Sequence, residues 1–441
     1  MNSTARLIAL VSLATLATPV GAKAASALPD SASAPHGQLS RPETARLDLE
    51  VVLQRVLERN PSLAAATAAW AGAKARAREV GALEAPTLEV MVAPWSFGSS
   101  NVDAAYRVGV TQRFSIFGQR GLQRRVGEAD ARAASWDLRI LQLDLVHRAR
   151  LTFIDYWRID RAIALNRELL VLLPELRRVS LAKYSAGLVG QQDPLQVDVE
   201  LAMSDHAGVI LERQRRVVVA TLNVLMHEPA ESWLPPPPDS LALPDTSVVH
   251  GDLAPRARAL RPELEAADAR VAASRAAATL AGRQRLPETS LGVAYDRFWS
   301  EPELRTTVGV SMNLPINAGQ LSASRAEARA RLEASERERD VVRDSIDLQV
   351  ASAAARLHEQ AHDVQIARER LLPLAERNFR AARASYEANR SDFLTVLNAL
   401  RDFLRARLEA DESFAMLHEA RADLDRATGE LPSALEKEKL P

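Results

Sequence analysis

The 441-residue chain carries a formal net charge of −1, no cysteine and only 5% aromatic residues. That excludes disulfides, thiolate metal sites and a lipidated N-terminal cysteine, and it gives no reason to invoke nucleic acid. Ala, Leu, Arg and Glu dominate, a composition of long packed helices rather than of a compact enzyme core.

Residues 1–27 read as a secretory signal peptide: Arg6, an apolar run from Leu7 to Val20, then small residues with cleavage after Ala24 or Ala27. That run is shorter than the ~20 apolar residues of a membrane-spanning helix. Residues 28–45 are Ser/Pro/Ala-rich and irregular. From Leu47 to about Val80 the pattern is helical, with Leu49, Leu53, Val56 and Leu57 on one face and a break at Asn60-Pro61, where Asn60 caps a second helix. The period then changes to two. Leu88, Val90 and Val92 share a face, as do Tyr106, Val108 and Val110, giving strands at about 86–97 and 104–116 around a turn-rich tip. A bend at Phe117-Gly118-Gln119-Arg120 leads into a helix reaching Tyr184, about 95 Å long at 1.5 Å per residue. Leu145, Ala149, Thr152, Tyr156, Ile159, Ile163, Asn166, Leu170 and Leu173 form a heptad seam along it. Gly187 reverses the chain into a return helix from about Asp193 to His227.

The chain then says the same thing again, about two hundred residues later. Asn60-Pro61-Ser62-Leu63 returns as Arg261-Pro262-Glu263-Leu264, Val108-Gly109-Val110 as Val308-Gly309-Val310, and Tyr184-Ser185-Ala186-Gly187 as Tyr386-Glu387-Ala388-Asn389. Residues 46–230 are the first repeat. Residues 231–254 are a linker containing Pro235-Pro236-Pro237-Pro238. Residues 255–430 are the second repeat, with strands at about 287–299 and 303–316 and a bend at Asn317-Ala318-Gly319-Gln320. Residues 431–441 are a charged tail. A period this long means two copies of a large unit. Pro174 and Pro373 are expected to kink their helices. Four strands cannot close a barrel, so closure needs several subunits; the alternation of aliphatic with small or polar residues suits a sheet between lipid and water.

The ordered set of motifs resembles the TolC-type outer-membrane factors. It comprises Asn60-Pro61-Ser62-Leu63, Phe114-Ser115-Ile116-Phe117-Gly118-Gln119-Arg120, Ala186-Gly187-Leu188-Val189 with Asp193, and Leu314-Pro315-Ile316-Asn317-Ala318-Gly319-Gln320. The resemblance covers about 47–430. It implies a mainly α fold with β structure: a homotrimer with a twelve-stranded outer-membrane barrel continued by a periplasmic coiled-coil barrel. It further implies a passive efflux duct, without cofactor or catalysis, that works with a periplasmic adaptor and an inner-membrane pump of the RND type. Leu371-Leu372-Pro373-Leu374 and Tyr386-Glu387-Ala388 look most like the branch serving heavy-metal cation exporters; a drug-efflux or type I secretion duct is the alternative. By resemblance, Asp193, Tyr386 and Arg390 are gate candidates at the periplasmic mouth, with Arg390 displaced by one position. Thr395 and Asn398 stand where some members carry an acidic ring. Gly187, Leu188 and Val189 at one tip, and Asn389, Arg390 and Ser391 at the other, are the adaptor-docking candidates, with Leu188 and Val189 expected as exposed apolar residues.

Two readings of other classes compete. A periplasmic coiled-coil adaptor or scaffold explains the helices but not the paired hairpins. A zinc hydrolase is suggested by His358-Glu359-Gln360-Ala361-His362, whose spacing puts two histidines on one helix face, but no third-ligand context accompanies it. The plain alternative for Asp193 is a helix N-cap, worth about 1 kcal/mol. Trp95, Phe97, Phe298 and Trp299 near the hairpin tips suit a membrane-interface girdle.

Overall fold

A computed structural model describes residues 46–98, 100, 102–246 and 252–431. The expected signal peptide, the stretch up to residue 45 and the tail beyond Leu431 lie outside the described residues.

The first repeat opens with α1 (Leu49–Arg59), which buries Val52, Leu53 and Val56. Asn60 ends it and starts α2 (Pro61–Gly81): its side-chain oxygen accepts from the Ser62 amide at 3.0 Å, with Pro61 at the first helical position. The same side chain donates to the Leu225 carbonyl at 2.9 Å, the last residue of the return helix α4 (Gln192–Leu225). In the second repeat the matching Arg261 donates to the Ala427 carbonyl at 3.1 Å, near the end of the return helix α9 (Phe393–Thr428). Each repeat thus ties its entry to its exit through the side chain preceding the proline, with an amide in one copy and a guanidinium in the other. That residue satisfies carbonyls the helix end leaves unpaired.

The strands are β1 (Thr87–Val92), β2 (Tyr106–Phe114), β3 (Glu288–Asp296) and β4 (Thr306–Asn313), shorter than expected at the tips. There Pro94 and Pro302 start short 3₁₀ turns, since a proline has no amide for the ladder. All four pair antiparallel in one sheet, in the order β1-β2-β3-β4, so β2 and β3 join the two repeats. The register places Leu88 opposite Val110, Val110 opposite Val293, and Val293 opposite Val308. Val90, Val108 and Tyr295 form the next row. One face is therefore apolar across every strand, and nothing among the described residues covers it. The other face carries Glu89, Arg107, Gly109, Thr111, Gly292 and Asp296 around a shallow hollow. At Gly292 a Cβ would approach the Thr111 hydroxyl to 2.9 Å, which explains the missing side chain.

Gly118, at φ +72°, turns the chain from β2 into α3 (Gln119–Ser185), a single helix of 67 residues. Its partner in the second repeat is split into α7 (Ala318–Ile366), a π turn (Ala367–Leu371) and α8 (Leu372–Glu387). The two prolines therefore behave differently. α3 keeps its α winding through Pro174, whereas the winding widens just before Pro373, around the carbonyl its ring would crowd. The second bend lies at Asn317, and Gly319 falls inside the first turn of α7. Along α3 the seam buries Leu145, Ala149, Tyr156, Ile159, Ile163 and Leu173, while Asn166 donates to the Ser204 carbonyl at 3.2 Å.

The helices repeat the order of the strands. Nearest the sheet, α2 packs on α3, α3 on α6 (Pro262–Arg283), and α6 on α7. Farther along, α4 packs on α3, α3 on α9, and α9 on α7 and α8. A short α5 (Leu253–Leu260) packs on α7 and α9. The linker is extended: Leu234 is buried, and Tyr156 donates to the Pro235 carbonyl at 3.2 Å. No described helix is long and apolar enough to cross a membrane.

Candidate functional site at the paired helix tips

Both helix reversals are built by the same local device. At the end of α3, the Leu188 amide donates to the Lys183 carbonyl (3.0 Å) and the Gly187 amide to that of Tyr184 (2.9 Å), with Gly187 at φ +70°. At the end of α8, the Arg390 amide donates to the Ser385 carbonyl (2.8 Å) and the Asn389 amide to that of Tyr386 (3.1 Å), with Asn389 at φ +57°. These are Schellman caps, in which a left-handed residue satisfies the last carbonyls. His227 and Gly429 close the return helices in the same way.

One apolar cluster lies under both tips. It gathers Leu173, Leu176 and Val197 from the first repeat with Phe379, Tyr386, Phe393, Val396 and Leu400 from the second. Into its edge α4 inserts Asp193, buried in the first helical turn. The Tyr386 hydroxyl donates to Asp193 Oδ2 at 3.2 Å. Burial raises the Asp193 carboxyl above the usual aspartate range, and the charge of Asp392 adds to this, against the pull of the tyrosine hydrogen bond and of Lys183. Burial and the adjoining carboxylate push the Tyr386 phenol upward, so it remains the donor. Asp193 is not the cap of α4: the cap position is Gln191, and no side chain caps there.

The other candidates divide. Thr395 is exposed, and its amide donates to the N-cap Asp392 at 2.9 Å, as does its hydroxyl at 2.5 Å. Asn398 is exposed one turn on. Neither joins the Asp193–Tyr386 pair. Arg390 is exposed and pairs with no side chain among the described residues. Leu188 is 60% exposed, as expected, but Val189 is half-buried against the tip cluster: the residue after a Schellman cap folds back onto its own helix. Ser391 is also half-buried, its hydroxyl without a partner. Gly187 and Asn389 are exposed at the turns. His358, Glu359 and His362 lie exposed on α7, and the described residues contain no cluster of three or more metal-ligating side chains.

Lys183 went unmarked in the sequence. Its ammonium donates to the Tyr386 carbonyl and to Asn389 Oδ1 (2.7 Å), lies 3.5 Å from the Glu387 carbonyl, and sits 4.2 Å from the centre of the Tyr386 ring. The available signal was a cation in the last turn of a helix, which ordinarily serves its own carbonyls; here it serves those of the helix two hundred residues away.

The outer membrane efflux protein family model matches residues 253–430. No curated protein matches the chain in sequence. Among solved structures, the outer membrane protein VceC of Vibrio cholerae superposes with a TM-score of 0.74 at 17% identity, covering 87% of this chain and 96% of that one. The open-state MtrE outer membrane channel of Neisseria gonorrhoeae gives 0.73 at 18%, covering 87% and 89%. CusC, in structures described as following transmembrane channel formation, gives 0.76 at 16%, covering 87% and 92%. The family match falls on the second repeat, the first repeat is its copy in sequence and in structure, and the shared fold spans both. The outer membrane efflux protein family is thus matched over the second repeat, and the fold of both repeats together is that of outer-membrane channels.

Proposed function

We propose that this chain is one third of a trimeric duct, the outer-membrane exit of a tripartite efflux system. The supporting observation is the shared order of the tiers. Sheet, upper helices and lower helices each end on the first-repeat side (β1, α2, α4) and on the second-repeat side (β4, α7 and α8) without a partner among the described residues. A sheet with two open edges and an uncovered apolar face is not stable in water. Three copies joined edge to edge give twelve strands, enough to close a barrel with the apolar face toward lipid and the polar face toward the lumen. The helical tiers close with it, and the tips become the periplasmic mouth. There Asp193 and Tyr386 form the gate link within each subunit, Arg390 is free to reach a neighbour, and Gly187, Leu188, Asn389 and Arg390 face the adaptor.

The test is the assembly itself. Detergent-extracted protein weighs as a trimer, fractionates with the outer membrane and conducts ions in planar bilayers. A stable soluble monomer overturns the reading. For the substrate, the sequence wording favours heavy-metal cations, fed by an adaptor and an RND-type pump; deletion then sensitises cells to metal salts rather than to drugs, and the reverse profile refutes this part alone.

A further inference from the structure

Aligning the repeats on their reversals, Gly187 with Asn389, pairs Tyr184 with Tyr386, Lys183 with Ser385, and Asp193 with Thr395. The two tyrosines have opposite fates: Tyr184 is 41% exposed and Tyr386 is 2% exposed. The residues around Tyr386 account for the difference. Asp193 takes its hydroxyl at one end, and Lys183 covers its ring and its backbone carbonyl at the other. Both come from the first repeat. The reciprocal set, Ser385 and Thr395, carries no charge, and the Thr395 hydroxyl is engaged with Asp392.

We infer that Lys183 is the latch of this gate, a positioning residue that holds the second tip against the first. A helix C-terminus carries a partial negative charge, and a capped carbonyl still has a second lone pair to offer. The end of α8 presents the carbonyls of Tyr386 and Glu387 together with Asn389 Oδ1, three oxygens around one ammonium. An ammonium over an aromatic face adds attraction of the same sign. The backbone carbonyl of Lys183 is fixed in the Schellman cap of α3, so its side chain leaves from a rigid point. Neither tip can swing away without breaking these contacts. The inference rests on the reading of the tips as the gate.

The absence of cysteine supplies a test that reads tip separation directly. Val396 is fully buried in the cluster under both tips, so Val396→Cys gives a sole thiol that a maleimide reaches only when the tips part. In reconstituted trimers, Lys183→Met raises the labelling rate about tenfold, the change expected from losing one charge-assisted hydrogen bond. Lys183→Gln, retained in case the Met variant does not assemble, raises it less, and Lys183→Arg restores the parental rate. Unchanged labelling in the Met or Gln variant overturns the latch. So does an increase with Arg equal to that with Met, since the effect would then follow side-chain shape and not charge. Raised labelling with unchanged single-channel conductance leaves the latch standing and removes the gate reading beneath it.

Discussion

The two helix tips are copies of one another that have come to do opposite things. The first tip, at Gly187, presents an apolar Leu188 outward and sends Lys183 and Asp193 sideways. The second, at Asn389, presents Arg390 outward and receives both first-repeat side chains around Tyr386. The backbone device is unchanged, because two left-handed residues and the same amide-to-carbonyl pattern build both turns. Divergence fell on the side chains that leave the turn. Duplication supplies two equivalent reversals; a few substitutions turn an equivalent pair into a donor and a receiver.

The largest effects should come from the outward residues. Gly187→Trp strains a left-handed turn by roughly 1–2 kcal/mol and blocks close approach, while Leu188→Asp charges an apolar contact. Both should abolish export and adaptor crosslinking with trimers still in the outer membrane. Arg390→Ala, at the copy of Leu188, should weaken export far less; equal losses at the two tips would erase the difference between them. Next comes the tyrosine pair. Tyr386→Phe leaves a buried carboxylate without its donor, at about 1–3 kcal/mol, so single-channel conductance should rise several-fold. Tyr184→Phe should leave it unchanged.

A smaller effect concerns acid. On the proposed gate, the closed tip holds the Asp193 proton more tightly than an open tip would, because burial raises this carboxyl above its ordinary 3.8. Closure therefore gains from protonation, and the gain is lost as pH rises through the raised value. Conductance should fall as pH is lowered into the window just above 3.8, while Asp392, held low by its hydrogen bonds from Thr395, stays charged. Asp193→Asn should flatten that response, and a response that survives it would place the sensor elsewhere. The smallest change expected is at the entry cap: Asn60→Ala should cost about 1 kcal/mol in thermal unfolding, with conductance unaltered.

What could be read from the sequence followed the range of the interactions involved. The Asn60-Pro61 cap, the heptad seam on α3 and the alternating strand faces are local patterns, and the structure has them where the residues indicate. The duplication extended each of them to the second copy. The long-range contacts carried no such mark. Nothing near Lys183 announces Asn389, and nothing in β2 names β3 as its neighbour, since these partners meet only after the repeats fold against each other. Val189 was misplaced for a related reason: a reversal exposes its apex while folding its flank back onto the helix. Pro174 kept its helix regular where Pro373 did not, a difference that the proline alone does not encode.

The order shared by sheet and helices gives each subunit a left hand and a right hand that differ at every level. Rings assembled head to tail have no self-complementary dimer on the way to closure. In the proposed trimer each subunit is needed twice, once by either neighbour, so damage to a single edge is enough to open the ring. In a cell making equal amounts of sound and edge-damaged chains, roughly one ring in eight is built of sound chains alone if subunits mix at random. A lesion on β4 or α7 is then a poison to its siblings, and its genetics are dominant although its chemistry is a simple loss.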